Sequence, residues 1–160
     1  MRNSQSLDKL DLAILAQLQA DGRLTYQELG DRVGLSASPC LQRVKRLEKQ
    51  GFISGYGAWV DLNSLREMTG VFTSVTLNAH TQVDFLRFEA ALKKHPELME
   101  CHLVSGGFDY LLKWCTRSVA HYQNIIESLL SSDAGINKYF SYIVIKTPIV
   151  QRFASVELTQ

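Results

Sequence analysis

Residues 34–51 read GLSASPCLQRVKRLEKQG, and this stretch decides the fold. Gly34 can take the positive φ that a sharp turn between helices requires. Ser36 or Ser38 can cap the helix that follows, and Pro39 is tolerated in a first turn because the N–H it lacks has no helical partner there. Leu41, Val44 and Leu47 then repeat at helical spacing, which predicts a helix that buries this stripe, runs to about Gln50 and stops at Gly51. Gln42, Arg43, Lys45, Arg46 and Lys49 fall mostly on other faces. Between Ser36 and Gln50 four basic residues stand against one acid, Glu48, in a chain whose formal charge is only +1.

Working back toward the amino terminus, two further helices are predicted. In the first, Leu7, Leu10, Ile14 and Leu18 share a stripe, Ser6 is a possible N-cap, Asp8 and Asp11 lie in the first turns, and Gly22 follows the end. In the second, Thr25 and Glu28 form a capping box, and Tyr26, Leu29 and Val33 make the buried stripe. A charged outer face is what any surface helix shows. The combination of three short helices, a tight glycine turn and small polar residues opening a basic third helix points further. It is the arrangement by which a recognition helix enters a major groove of double-stranded DNA. Ser38, Gln42, Arg43 and Arg46 are the candidates for groove contacts, Lys45 and Lys49 for phosphates, and Ser36 and Pro39 complete the surface at the helix start. Phe52 to Val60, aromatic and broken by glycines, is expected to be a wing or a linking strand.

Beyond about Leu62 the pattern becomes that of an α/β domain. Strands are expected over Gly70–Asn78, Leu98–Ser105, Asp109–Thr116 and Ile136–Lys146. Helices are expected over Val83–Leu92 and around Val119, Tyr122, Ile126 and Leu129. Gly106-Gly107-Phe108 is a hairpin signal, and His95-Pro96 and Gly135 punctuate the helix ends. The order βαββαβ is that of a ferredoxin-like fold, so the class is α+β: a winged-helix-like helix-turn-helix domain (1–52), a strand or hinge linker (53–64) and a ferredoxin-like domain (65–160). Two helices on one face leave the other sheet face open. With Phe72, Cys101, Leu103, Trp114, Phe140 and Tyr142 shared between the faces, pairing of two copies across the open one is expected.

Composition removes other classes. No apolar run approaches the roughly 20 residues of a membrane span, and MRNSQSLDKLD lacks a signal peptide's apolar core, so a cytoplasmic protein without a membrane partner is expected. Cys40, Cys101 and Cys115 form neither a disulfide framework nor a C-x-x-C pair. His80, His95, His102 and His121 are not at metal-ligand spacing. No nucleophile elbow, phosphate loop or dinucleotide fingerprint is present. No catalytic residue, metal site or cofactor is therefore expected. An enzyme built on the ferredoxin-like half, or a winged-helix module for protein partners, are the competing readings.

The stretches GLSASPCLQRVKRLEKQGFISGY (34–56), ECHLVSGGFDYLLK (100–113) and LDKLDLAILAQLQADGR (7–23) resemble the leucine-responsive regulatory protein/asparagine-synthetase regulator (Lrp/AsnC) family over nearly the whole chain. The resemblance implies a nucleoid-associated bacterial transcription regulator. It also implies homodimers that assemble further, often to octamers, and an amino acid or related small-molecule effector held between dimers near the loop joining the middle strands. That loop is Ser105-Gly106-Gly107-Phe108-Asp109-Tyr110 here, with Tyr139 and Ser141 expected to line the same pocket. The chemistry agrees: backbone N–H groups freed by the two glycines could hold a carboxylate, and Asp109 could accept from an ammonium. Alternatively, the glycines make a tight turn that Asp109 closes. Gly107, where leucine-responsive members commonly carry a polar residue, and Tyr139, at a position often threonine, are departures that leave leucine specificity open.

Overall fold

The computed structural model describes residues 7–151 and 154–156. They form two compact units: one comprises the described residues up to Trp59 together with those from Ile149 on, the other Val60–Pro148. The described residues after Pro148, expected to end the second domain, thus lie with the first, where the Gln19 amide donates to the Ala154 carbonyl at 2.9 Å.

The first unit holds three helices, α1 (Lys9–Ala20), α2 (Tyr26–Val33) and α3 (Ala37–Lys49). Asp8 caps α1 in a reciprocal box with Asp11; the expected cap, Ser6, lies outside the described residues. Thr25 and Glu28 box α2 as expected. The core is Ile14, Leu29, Cys40, Val44 and Leu47, with Leu7, Leu18, Leu24, Val33, Leu35 and Ile53 packed around it. Two stripe residues differ from expectation. Tyr26 begins its helix and is 41% exposed, and Cys40 rather than Leu41 completes the buried face of α3.

The α2–α3 turn is tight. Gly34 sits at φ +75°, and the Leu35 N–H donates back to the Gly30 carbonyl at 2.9 Å. Gly30 is buried inside α2, and a Cβ there would lie 2.5 Å from the Leu35 carbonyl oxygen. Residues 52–60 form neither helix nor strand: among the described residues no neighbouring strand completes a ladder for the wing or strand expected there. Tyr56 ties the segment back by donating to Glu48 Oε1 at 2.9 Å.

The second unit runs α4 (Leu62–Leu65), β1 (Thr69–Leu77), α5 (Gln82–Leu92), β2 (Leu98–Leu103), β3 (Tyr110–Thr116), α6 (Val119–Ser131) and β4 (Ile136–Ile143). The one-turn α4, inside the expected linker, starts at Asp61, whose side chain accepts from Asn63 N. The sheet order is β2-β3-β1-β4 with every neighbour antiparallel, which completes the βαββαβ arrangement. Alternation assigns the faces. Val71, Val75 and Leu77 with Tyr110, Leu112 and Trp114 face Phe88 and Leu92 of α5 and Tyr122, Ile125, Ile126 and Leu129 of α6.

Inside this core runs a chain of polar hydrogens. Trp114 Nε1 donates to Thr73 Oγ1 at 3.1 Å, Thr73 Oγ1 meets the Tyr122 hydroxyl at 2.7 Å, and that hydroxyl meets Ser141 Oγ at 2.6 Å. Burial pushes the Tyr122 phenol up, against the lowering effect of its Ser141 and Thr73 bonds.

The opposite face is uncovered in the single chain. Phe72 pairs with Tyr142 and Ser74 with Phe140, and the three aromatic rings are 37%, 57% and 51% exposed. Trp114, expected among the residues divided between the faces, is wholly on the helix side. Cys101 and Leu103 pair with Leu112 and Tyr110, so parity puts them on that side too, at its edge. A register shift between Leu98 and Glu100 sets this parity, and no sequence signal marks it.

Candidate functional site

The surface of α3 carries the residues singled out for DNA. Ser36, Ser38, Pro39, Gln42, Lys45, Arg46 and Lys49 are exposed, and Arg43 is half-buried. Ser36 occupies the N-cap position without a side-chain cap bond, and the first turn has no acid. Ser38, Pro39, Gln42, Arg43 and Arg46 line one open hollow of about 560 Å³.

The two arginines are not free rods. Arg43 Nη1 lies 2.7 Å from Asp8 Oδ2 and 2.7 Å from Asp11 Oδ1, and Arg46 Nη2 lies 2.6 Å from each Asp11 oxygen. Asp11 is 2% exposed, whereas Arg43 and Arg46 are 25% and 46% exposed. The Arg43 guanidinium holds the Asp8 carboxyl below its ordinary range, and the two aspartates raise Arg43 in turn. Sequence reading took Asp8 and Asp11 only as first-turn acids. Partners more than 30 residues away in the chain leave no local periodicity to find.

The effector candidates divide into three settings. The loop of Ser105, Gly106, Gly107 and Asp109 joins β2 to β3, with Gly106 at φ +142°. Asp109 Oδ2 accepts from Leu77 N at 2.8 Å and meets His80 Nε2 at 3.0 Å, while Asp109 N donates to Val75 O and Val104 N donates to Asp109 O. One carboxylate oxygen therefore ties the loop to the end of β1, and the backbone bond from Val104 to Asp109 closes the turn. His80, missed as a site neighbour because it lies 29 residues away, covers that oxygen. Tyr110 follows the parity of β3 into the core: it is 1% exposed, and its hydroxyl donates to Glu89 Oε1 at 2.9 Å. Burial first, then Glu89, drives its phenol pKa well up. Tyr139 and Ser141 line a separate cleft of about 240 Å³ against α6, with Val119, Tyr122, Gln123 and Ile126. The loop residues do not line this cleft.

Among the described residues no three His, Cys, Asp or Glu converge as a metal set. No described helix is long and apolar enough to cross a membrane. The three cysteines are unpaired, with Cys40 in the core.

Comparison with known proteins gives the arrangement its context. Residues 7–54 match the family model described as winged helix-turn-helix DNA-binding, and residues 70–152 match that of the Lrp/AsnC ligand binding domain. The transcriptional regulatory protein DoeX of Halomonas elongata is 47% identical over 141 residues, 88% of this chain and 89% of that protein. The leucine-responsive regulatory protein of Salmonella typhimurium is 44% identical over 145 residues, 91% of this chain and 88% of that one. A Neisseria meningitidis transcriptional regulator solved in complex with L-methionine superposes with a TM-score of 0.88 at 32% identity, covering 97% of this chain and all of its own. All three bear the names of regulatory proteins, two of them of transcription. Two matched domains in the same order, across nearly the full chain, make this protein a member of the Lrp/AsnC family of DNA-binding transcriptional regulators.

Proposed function

We propose that the protein reads specific double-stranded DNA with α3 in the major groove, pairs through its open sheet face, and changes assembly when an amino acid binds. The observation that carries the DNA reading is the polar, acid-free start of α3, where Ser38 and Gln42 border the hollow that Arg43 and Arg46 also line. Ser38, Gln42, Arg43 and Arg46 are the groove contacts, and Lys45 and Lys49 grip phosphates. Residues 1–52 form the reading part, 53–64 the hinge, and 65–148 the effector and assembly part.

The exposed rings of Phe72, Phe140 and Tyr142 support pairing, since an apolar patch of this kind is costly to leave wet. Dimers then assemble further, up to an octamer, which multiplies the modest charge of one chain along DNA. The protein acts at the bacterial nucleoid in the cytoplasm. The methionine bound to the Neisseria relative supports an amino-acid effector at the Ser105–Asp109 loop, with the second Asp109 oxygen facing the ammonium. Such an effector shifts the assembly only through unequal affinity for its alternative states.

Gln42→Ala and Lys49→Ala, titrated on selected and random duplexes over a salt series, test the reading. Gln42→Ala is expected to weaken selected DNA alone, by about 1–3 kcal/mol. Lys49→Ala is expected to weaken both equally and to flatten the salt slope by about 0.9. Equal loss on both duplexes for Gln42→Ala overturns the base-reading role.

A further inference from the structure

We infer that Asp11, helped by Asp8, is a positioning residue for DNA discrimination, fixing Arg43 and Arg46 in one arrangement and cancelling their charge toward unselected phosphates. The inference rests on α3 being the DNA-reading helix.

Arg43 and Arg46 stand three residues apart, one turn of α3, where like charges repel. They nevertheless converge on a single carboxylate that belongs to another helix and is 2% exposed. Asp11 is itself oriented: its backbone N–H donates to Asp8 Oδ1 at 2.8 Å and its Oδ2 accepts from Asp8 N at 3.2 Å. The side chain is thus held at both ends, by the α1 cap and by the two guanidinia. Only one nitrogen of each arginine is engaged in these contacts, and both side chains line the hollow with Ser38, Pro39 and Gln42.

Two consequences follow. A long arginine side chain has much rotamer entropy to lose, and here a large share of it is already removed before DNA arrives, which favours a partner whose acceptors match the preset fork. Two carboxylates also stand against two guanidinia. Unselected phosphates are therefore attracted mainly by Lys45 and Lys49, which keeps non-specific binding weak.

The test uses the full chain, a duplex selected from a randomised pool, and a random-sequence duplex. Asp11→Asn keeps the shape and removes the charge. Affinity for random DNA is expected to rise about three- to eightfold at 0.1 M salt, with a salt slope steeper by about 0.9, because one more cation is released to phosphates. The ratio of selected to random affinity is expected to fall about tenfold. Asp8→Asn, at a side chain 51% exposed, should move both readouts the same way by a smaller factor, and it decides the matter if Asp11→Asn does not fold. A folded variant with an unchanged ratio and slope overturns the inference and leaves Asp11 a strut between helices. A wild-type chain that shows no preference for any selected duplex overturns the DNA reading itself.

Discussion

Replacing Gly30 by alanine should destabilise the first unit, although the same change in most helices stabilises it. An interior helical glycine costs about 1 kcal/mol relative to alanine, so propensity alone favours the variant. The structure opposes this, because the new Cβ would lie 2.5 Å from the Leu35 carbonyl oxygen and 3.4 Å from the Leu35 and Ser36 carbonyl carbons. These are backbone atoms and cannot swing aside.

Moving the turn outward strains the 2.9 Å bond from Leu35 N to Gly30 O, worth about 1 kcal/mol. It also shifts Leu35 and α3 on the core, an overpacking cost of about 1–3 kcal/mol. The balance is a net loss of about 2 kcal/mol, or roughly 8–16 °C in the melting temperature of a unit this small. Urea and thermal unfolding followed by circular dichroism measure it. Gly34→Asn is the control. Nothing lies within 4 Å of a Cβ there, and asparagine tolerates the left-handed region, so that variant should lose less than about 1 kcal/mol. A Gly30→Ala protein that melts at or above the parent temperature would refute the steric argument.

Other outcomes follow from the same geometry. Thr73→Val leaves Trp114 Nε1 and the Tyr122 hydroxyl without their shared partner and should cost about 2–3 kcal/mol by chemical unfolding; a neutral result would mean that water replaces it. Asp109→Asn keeps an acceptor for Leu77 N and should melt within about 1 kcal/mol of the parent yet lose at least tenfold in amino-acid affinity by calorimetry. Unchanged affinity removes Asp109 from the effector site. Phe140→Asp, on the open face, should convert dimers to monomers in sedimentation velocity without lowering helix content.

Acid should destabilise the fold in a defined window. Arg43 holds Asp8 low, Thr25 holds Glu28 low, Thr81 holds Asp84 low, and Lys113 holds Glu100 low. Groups depressed in the folded state contribute stability above their unfolded values, and that contribution is lost as pH falls through the folded ones. The melting temperature should therefore be level from pH 7 to about 5 and drop below about 4. A maximum near pH 3.5 would contradict this.

The three helices of the first unit were legible because each buries one stripe, and the Thr25–Glu28 box and Gly34 obey local rules. Gly30 was not, since a mid-helix glycine registers only as a propensity penalty until the chain that folds over it is known. The same limit hid Asp11: burial and two partners from α3 are tertiary facts, while the sequence offered only an acid in a first turn. In the second unit alternation located the strands, but the faces of Cys101 and Leu103 depend on the register shift between Leu98 and Glu100, which alternation alone does not reveal. Tyr110 is adjacent to the loop in sequence and still turns into the core, because strand parity outranks proximity. Tyr139 and Ser141 pair with Val75 and Thr73, so the same parity turns them toward α6 rather than the loop.

The row of polar hydrogens through the second core has a direction. An indole N–H can only give, so Thr73 receives from Trp114; sealed from solvent, Thr73 must hand its own hydrogen to Tyr122, and Tyr122 hands the next to Ser141. The row runs one way, from the buried indole to the surface. Ser141, exposed on β4, ends it as the acceptor, which leaves its own hydrogen as the one the row can offer to a partner settling against β4 at that spot.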